Sequence, residues 1–389
     1  MDFFSDDFKK HLSSIDWFLV ITVLAAMAYG FVLIKSATNI MPYLNPPENQ
    51  MRNLITQIVA AIGGLIFVFI LSKSDYDHMV KYAKALYVIA VILMVTTLIF
   101  GTGDVETGNK NWIRIPIINV GGQPSEIVKI LFIMTFAKHL DSVKDNIDRP
   151  KNMVMLLLHF GGIVGLVLAQ KDLGTALIFV IIFLTMCFAA GVSLWYFLAG
   201  AFIAVASSPL IWAWMGDDYQ KRILAGFNPM IDPEGKGYQA LRSMRAIGSG
   251  GLFGSGYQKG YMTQGGRVPK QWTDFIFSAA GEEFGFIGAI LVLLLLTLII
   301  GRIFYISRSA RNNTGSLMCV GVMAIFISQT IENIGMCLGM LPVIGITLPF
   351  FSYGGSSILG SLMAVGLVLS VNSRKNIYYF ARDENLDRF

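Results

Sequence analysis

Lys270-Gln271-Trp272-Thr273-Asp274-Phe275-Ile276-Phe277 ends the one long polar stretch of an otherwise apolar chain. That stretch, residues 215–276, lies between two apolar runs of membrane length, 194–214 and 277–306. It is rich in Gly and carries Pro229, Pro233 and Pro269. Tyr219, Phe227, Tyr238, Leu241, Phe253, Tyr257, Tyr261 and Trp272 are spread through it. So many apolar anchors do not suit a disordered linker, and long ordered loops are usually functional. We expect a folded cap on a membrane bundle, with Asp274 at the seam where cap becomes helix.

Outward from that seam, apolar runs recur along the whole chain. Of its 389 residues 54% are hydrophobic and only 14% charged, where a soluble protein carries roughly 25% charged residues. The runs 17–36, 54–72, 82–100, 124–140, 153–170, 173–190, 194–214, 277–306, 317–338 and 356–371 each suffice to span a bilayer. The expected fold is an all-α polytopic membrane protein, one membrane domain over 1–389. It has about ten transmembrane helices and a large extracytoplasmic loop, the 215–276 cap, between spans seven and eight. Lys171-Asp172 makes a short break inside 153–190 and reads as a tight helical hairpin. In residues 1–15, Phe3, Phe4, Phe8 and Leu12 fall at near-helical spacing, which suggests a short interfacial helix. Cys187, Cys319 and Cys337 stand alone in apolar runs and read as small buried hydrophobes. His11, His78, His139 and His159 are scattered without zinc spacing. No removable signal peptide is read at the N-terminus.

Orientation follows from the short loops. With the N-terminus in the cytoplasm, the inner side holds 16 basic residues, among them Lys9, Lys73, Lys144, Arg311, Arg382 and Arg388. The short outer loops hold 5: Lys35, Arg52, Lys110, Arg114 and Lys171. Both termini, the segment 1–15 and the tail 372–389, are therefore expected in the cytoplasm, and the cap outside. The net charge of +5 is spread over many loops and is no nucleic-acid footprint.

Several groups could carry chemistry. The cap holds Lys221, Arg222, Lys236, Arg242, Arg245, Lys259, Arg267 and Lys270, a basic surface that suits an anionic headgroup or simply a solvated loop. The glycine-dense run 248–256 is either a phosphate-approaching backbone or a flexible turn. Asp274 is either the N-cap of the next helix or a general base at the membrane surface. Asp274, Ser278 and Glu282 share a helical face at four-residue steps, and Glu282 and Glu283 are expected inside the bundle, where an acid is a functional candidate. Glu126 and Lys129, one turn apart, form either a structural ion pair or the wall of a polar cavity. Glu332 and Asn333 are expected to face other helices.

Asn333 also opens the most specific motif. After it come Gly339-Met340-Leu341-Pro342-Val343-Ile344-Gly345-Ile346 and then Phe350-Phe351-Ser352-Tyr353-Gly354-Gly355-Ser356-Ser357. Element by element this resembles the signature of the SEDS family (shape, elongation, division and sporulation). Gln123-Pro124-Ser125-Glu126 with Lys129, Asp172-Leu173-Gly174-Thr175-Ala176, residues 222–251, and Thr273-Asp274-Phe275-Ile276-Phe277 with Glu282-Glu283 agree in order. The likeness covers nearly the whole chain, and Leu341-Pro342-Val343 looks like the RodA-type branch. Five positions depart from the family's usual residues: Lys270 and Trp272 stand for Glu and His, Arg242 for Gln, Asn111 for Arg and Lys171 for Pro.

The resemblance implies a peptidoglycan glycosyltransferase. Such proteins polymerise lipid II into glycan strands at the outer face of the bacterial cytoplasmic membrane, with undecaprenyl pyrophosphate as leaving group. They work with a class B penicillin-binding protein, in cell elongation for the RodA type. By resemblance Asp274 is the catalytic base. Glu126, Lys129, Arg222, Tyr238, Gln239, Arg242, Ser243 and Lys270 fall to the substrate side. Asn333, Pro342, Gly345, Ser352, Gly354, Gly355 and Ser356 are the signature. A divalent cation, magnesium or manganese, could assist the leaving group, although no metal-ligand spacing is visible. Two other classes remain open: a lipid II flippase, and a non-catalytic scaffold for the penicillin-binding protein.

Overall fold

The computed structural model describes residues 13–40, 47–103, 109–115 and 120–375. The expected interfacial helix, apart from 13–15, and the tail beyond 375 lie outside the described residues. All ten expected spans are helices: α1 (Trp17–Thr38), α2 (Pro47–Lys73), α4 (Ala83–Phe100), α5 (Ser125–Val143), α6 (Pro150–Ala169), α7 (Leu173–Ala189), α8 (Leu194–Trp214), α12 (Ile276–Arg308), α13 (Asn313–Cys337) and α14 (Gly355–Lys375). Eight of them are long and apolar enough to cross a membrane unaided. The other two are α7, with 17 residues, and α5, which carries Glu126, Lys129, Lys138 and Asp141. α14 runs to Lys375, into the segment expected to be tail.

Short elements complete the chain. α3 (Tyr76–Lys81) bridges α2 and α4, and α9 (Asp217–Phe227), α10 (Tyr238–Ser249) and α11 (Tyr261–Gln264) build the cap. An antiparallel ribbon pairs β1 (Ile113–Ile115) with β2 (Val120–Gly122), Arg114 opposite Gly121. The sequence did not announce that ribbon.

Some helix starts are fixed by side-chain caps. Asp16 accepts from Leu19 N at 3.0 Å, Asp172 from Thr175 N at 3.0 Å and Asn312 from Gly315 N at 2.8 Å. Asp16 also takes a forked bond from Arg302, with Nε at 3.0 and 2.9 Å, which clamps α1 to α12. α13 and α14 form the buried centre, and α8 stands at the rim with no buried residue.

α12 is two helices in line. Its 33 residues would reach about 50 Å at 1.5 Å per residue, far more than a hydrocarbon core of about 30 Å. The run breaks at Gly285, with φ 66 and ψ −159, leaving residues 286–308 to span and 276–284 in the buried layer beneath the cap. The glycine-dense loop fills the break. Ser255 N and Gly256 N donate to the carbonyls of Glu282 and Glu283 at 2.9 and 3.0 Å, and Phe286 N and Ile287 N donate to Gly251 and Leu252 at 2.9 and 3.3 Å. The loop is thus a splint for a broken helix rather than a phosphate cradle or a flexible turn.

A Cβ at Gly285 would lie 2.4 Å from Gly254 N and 2.6 Å from Leu252 O, in a backbone conformation reserved for glycine. Gly285→Ala should therefore destabilise the protein by on the order of 3–5 kcal/mol, combining backbone strain with overpacking. Gly165→Ala, where a Cβ meets nothing, serves as control and should not lower stability. Thermal unfolding of both variants in detergent checks this, and equal midpoints would refute the splint.

Candidate functional site

Asp274 sits at the seam as expected, but it is not the helix cap. The N-cap of α12 is Phe275, which makes no side-chain cap bond. Asp274 is 9% exposed, and three successive carbonyls at this point are tied to the signature segment. Tyr353 N donates to Trp272 O at 2.8 Å, Ser352 Oγ to Thr273 O at 2.6 Å, and Asn333 Nδ2 to Asp274 O at 2.8 Å. Asn333 Nδ2 also reaches Ile346 O at 2.7 Å, so one amide joins the seam to the loop opposite. Ser352 Oγ accepts from Leu348 N at 2.8 Å, and Gln57 closes the loop by accepting from Gly354 N at 2.9 Å.

Two residues flanking these bonds hold left-handed backbone, Lys270 at φ 52 and Phe350 at φ 67. Such conformations cost roughly 1–3 kcal/mol each for residues with a side chain and persist where surrounding bonds over-determine them. Gly345, at φ 74, faces Asp274: a Cβ there would be 3.5 Å from Oδ2. The side chain at 345 is therefore kept minimal beside the acid by both backbone and space.

Burial raises the proton affinity of Asp274 above the usual carboxylate range, while the Lys270 ammonium and the Thr273 hydroxyl pull it back down. A carboxylate raised in this way is a stronger base than an exposed one and suits proton acceptance.

The other expected residues divide into two groups. Lys129, 1% exposed, bonds both oxygens of Glu126 at 2.9 Å, and Glu126 packs on Gly360 of α14. Ser243 is fully buried and bonded to Cys337 O at 2.7 Å and Ser278 Oγ at 2.6 Å, so it braces α10 against α12 and α13. Arg242 lies over the Tyr238 ring at 5.0 Å; Tyr238, Gln239 and Arg222 are half-buried in the cap, and Lys270 is exposed. No hydrogen bond or ion pair joins Arg222 or Arg242 to Asp274 among the described residues. In the signature, Pro342 packs on Gly226 of α9, Ser356 Oγ accepts from Gln123 N at 2.9 Å, and Gly355 opens α14.

Glu282 and Glu283 turn out to be fasteners. Glu282 accepts from Met262 N and Thr263 N at 2.7 and 2.8 Å, holding α11. Glu283 Oε1 accepts from Ser36 Oγ at 2.6 Å and Gln264 Nε2 at 2.9 Å, holding α1 to the cap. Asp172 gathers Asn111 Nδ2 at 2.8 Å, Gln123 Nε2 at 3.2 Å and Thr175 Oγ1 at 2.9 Å, so the departure at Asn111 is bonded within the fold. Gln57 was not singled out from sequence, Cys337 was read only as a small buried hydrophobe, and Tyr353 only as part of the signature run. Tyr353 and Gln57 act through backbone atoms or toward them, which no side-chain pattern reports.

Among the described residues no group of three or more His, Cys, Asp or Glu converges as a metal site. Glu126 is already occupied by Lys129, and Asp274 has no second carboxylate bonded beside it. Among the described residues the donor set does not suit a protein-held divalent cation.

Residues 16–377 match the family model described as cell cycle protein, which covers FtsW, RodA and SpoVE. A probable peptidoglycan glycosyltransferase FtsW of Trichlorobacter lovleyi is 34% identical over 372 residues, 93% of this chain and 94% of its own. The peptidoglycan glycosyltransferase MrdB of Escherichia coli K12 is 32% identical over 371 residues, 95% of each. Among solved structures, a chain of a peptidoglycan synthase complex that coordinates polymerization and crosslinking aligns with TM-score 0.79 at 29% identity, over 93% of this chain and 98% of that one. A pinned acid at a cap-to-helix seam, a ten-helix bundle and near-complete coverage by these relatives agree: the chain belongs to the FtsW, RodA and SpoVE family of cell cycle proteins.

Proposed function

We propose that this protein is a peptidoglycan glycosyltransferase that polymerises lipid II at the outer face of the cytoplasmic membrane, alongside a class B penicillin-binding protein. The observation that carries this is Asp274, a nearly buried acid with a raised proton affinity whose backbone is held at three successive carbonyls. The names of the relatives support the activity, and the likeness to a chain of a synthase complex supports the partner. Leu341-Pro342-Val343 favours the elongation branch.

In the proposed step the Asp274 carboxylate takes the proton of the acceptor sugar hydroxyl. That oxygen bonds to the anomeric carbon of the donor, and the bond from this carbon to the pyrophosphate oxygen breaks. Undecaprenyl pyrophosphate leaves with the electron pair, and Lys129, Arg222, Arg242 and Lys270 are the cations assigned to its negative charge. Tyr238 and Gln239 complete the polar wall.

Asp274→Asn separates this reading from transport and scaffolding. In purified protein supplied with labelled lipid II, polymer should fall by roughly 10²–10⁴-fold, while binding to the penicillin-binding partner persists. Near-normal polymer would sink the role of Asp274; no polymer from well-folded parent protein with its partner would favour a flippase or scaffold. The sign of the pH effect is fixed by burial. Because the folded-state proton affinity is raised, ionised Asp274 costs stability above the usual carboxylate range, and the cost disappears once pH falls below it. The Asn variant should accordingly unfold at a higher temperature at neutral pH, with the gain vanishing in acid. The acid limb of activity should lie above the usual carboxylate range, and Lys270→Gln should move it further up.

Ser352→Ala removes the bond to Thr273 O without touching the carboxylate. Since about 1 Å of misplacement can cost 10²-fold in rate, turnover should drop by up to about that factor while KM holds. A KM-only change would argue against a positioning role.

Topology is tested with cysteines at Lys259 in the cap and Lys144 after α5, both exposed. An impermeant thiol reagent on intact cells should label the first alone. Labelling only the second would invert the assignment.

A further inference from the structure

The end of the bundle away from the cap carries an uneven distribution of charge. Residues 284–331 and 333–375 hold the span of α12, the turn after it, nearly all of α13, and α14, and they contain no Asp or Glu. Their basic residues are Arg302, Arg308, Arg311, Arg374 and Lys375, in the last two turns of α12, the turn after it and the end of α14. Two of these are engaged within the fold. Arg302 forks onto Asp16, and Arg374 Nη2 donates to Lys73 O at 3.0 Å.

Between the α12–α13 turn and the end of α14 lies a cavity of about 390 Å³, lined by Ser309, Arg311, Asn312 and Lys375. Among the described residues its wall thus offers two cations, a hydroxyl and an amide, and no carboxylate. Asn312 fixes the shape of that wall. Its Oδ1 accepts from Gly315 N at 2.8 Å and from Tyr76 Oη at 3.1 Å, and its Nδ2 donates to Asp77 Oδ1 at 2.9 Å. The acid behind the wall, Asp77, is therefore turned to Asn312. The cavity also lies at the level of a membrane surface. Phe304 and Tyr305, near the end of α12, are half-exposed, and the Tyr305 ring has the Arg302 guanidinium at 4.7 Å and the Lys375 ammonium at 4.9 Å. A tyrosine between apolar surface and cations marks the boundary of acyl chains and headgroups.

We propose that this cavity binds a phosphate group, brought as the headgroup of an anionic phospholipid of the inner leaflet, on the orientation read from the short loops. Arg and Lys with a neighbouring hydroxyl supply charge-assisted hydrogen bonds to phosphate oxygens, and basic pockets between helix ends on the cytoplasmic side select anionic headgroups. The apolar surface at Phe304 beside the cavity suits an acyl chain, which a free phosphate lacks. A phosphate bound there ties the α12–α13 turn to the end of α14. The opposite ends of α12 and α14 meet at the Asp274 seam, so the lipid fastens the same helices from below.

The test titrates phosphatidylglycerol into the full-length protein in detergent, with phosphatidylcholine as zwitterionic reference, and counts bound lipid by native mass spectrometry. The parent should take phosphatidylglycerol in preference. Arg311→Gln and Lys375→Gln should each weaken that binding about fivefold, and the double variant about 25-fold, the scale of one and two cations at an anionic headgroup. Both side chains stand at the edge of the bundle, so neither change threatens the fold. Lys151→Gln removes an exposed cation at the start of α6, on the same side of the membrane, and should leave binding unchanged.

Equal phosphatidylglycerol binding by parent and double variant would overturn the site. An equal loss in Lys151→Gln would overturn it too, because the attraction would then belong to the charged face at large and not to this cavity. Inorganic phosphate separates the lipid from a free anion. At millimolar concentration it should neither displace phosphatidylglycerol nor raise the unfolding temperature of the delipidated parent. Either effect would make this a site for soluble phosphate and would overturn the lipid assignment.

Discussion

Three hydrogen bonds to three consecutive carbonyls, those of Trp272, Thr273 and Asp274, hold the centre of this molecule together. Each bond on its own contributes only about 1 kcal/mol, but a carbonyl left unsatisfied at this depth costs about 1–3 kcal/mol. The donors come from two separate places, Asn333 in α13 and the Ser352-Tyr353 turn before α14. The Asp274 backbone can therefore stay in place only if α12, α13 and α14 keep their relative positions. The left-handed conformations at Lys270 and Phe350 are tolerated on the same terms. The signature segment is thus best understood as a clamp: Asn333 and Ser352 turn their side chains toward backbone, and the carboxylate belongs to the residue being clamped.

The break at Gly285 solves a second problem created by the first. An acid pinned against the ends of α13 and α14 must sit well inside the outer rim of the bundle. A single straight helix starting there could not both cap the site and span the bilayer. Splitting the run gives a nine-residue buried piece, 276–284, and a 23-residue span, 286–308, of about 34 Å. The amides and carbonyls freed by the split are then taken up by residues 251–256. Glu282 and Glu283, just before the break, fasten the buried piece to α11 and α1. Cap and bundle consequently behave as one unit at this point, which suits a site made from both.

How much of this could be read from the sequence depends on what kind of atom makes each contact. The spans were legible because apolar runs of fixed length have no other use, and the Glu126–Lys129 pair because three-residue spacing on a helix brings two side chains together. The position of Asp274 at the seam was legible as well. Its clamp was not, since a carbonyl acceptor leaves no mark in the residue it belongs to. Gly285 is hidden among Gly281 and Gly288 in a run that reads as continuous helix; the usable signal lay elsewhere, in the glycine density of 248–256. Ser243 was placed on the substrate side by resemblance, whereas α10 turns neighbouring residues to opposite sides, with Arg242 over Tyr238 and Ser243 bonded to Cys337. The ribbon was missed because its strands are three residues each, too short for any alternation to show.

A census of the buried acids shows where the fold has left chemistry possible. Asp16 is capped and clamped by Arg302, Asp172 gathers four donor bonds, Glu126 has Lys129, and Glu282 and Glu283 are held by backbone amides, hydroxyls and an amide side chain. Each of these charges is spent on architecture. Removing any one partner would leave a buried charge behind, which is why such groups are poor candidates for a reaction that must change protonation state. Asp274 and Glu332 are different. The first has a fixed backbone and a carboxylate under the influence of the Lys270 ammonium and the Thr273 hydroxyl; the second has no hydrogen-bond partner for either oxygen. They are separated by Asn333, whose amide holds the carbonyl of one while following the other in sequence. The fold therefore engages most of its buried acids through hydrogen bonds, leaves Glu332 and one oxygen of Glu283 without a partner, and holds Asp274 on a fixed backbone beside the Lys270 ammonium and the Thr273 hydroxyl.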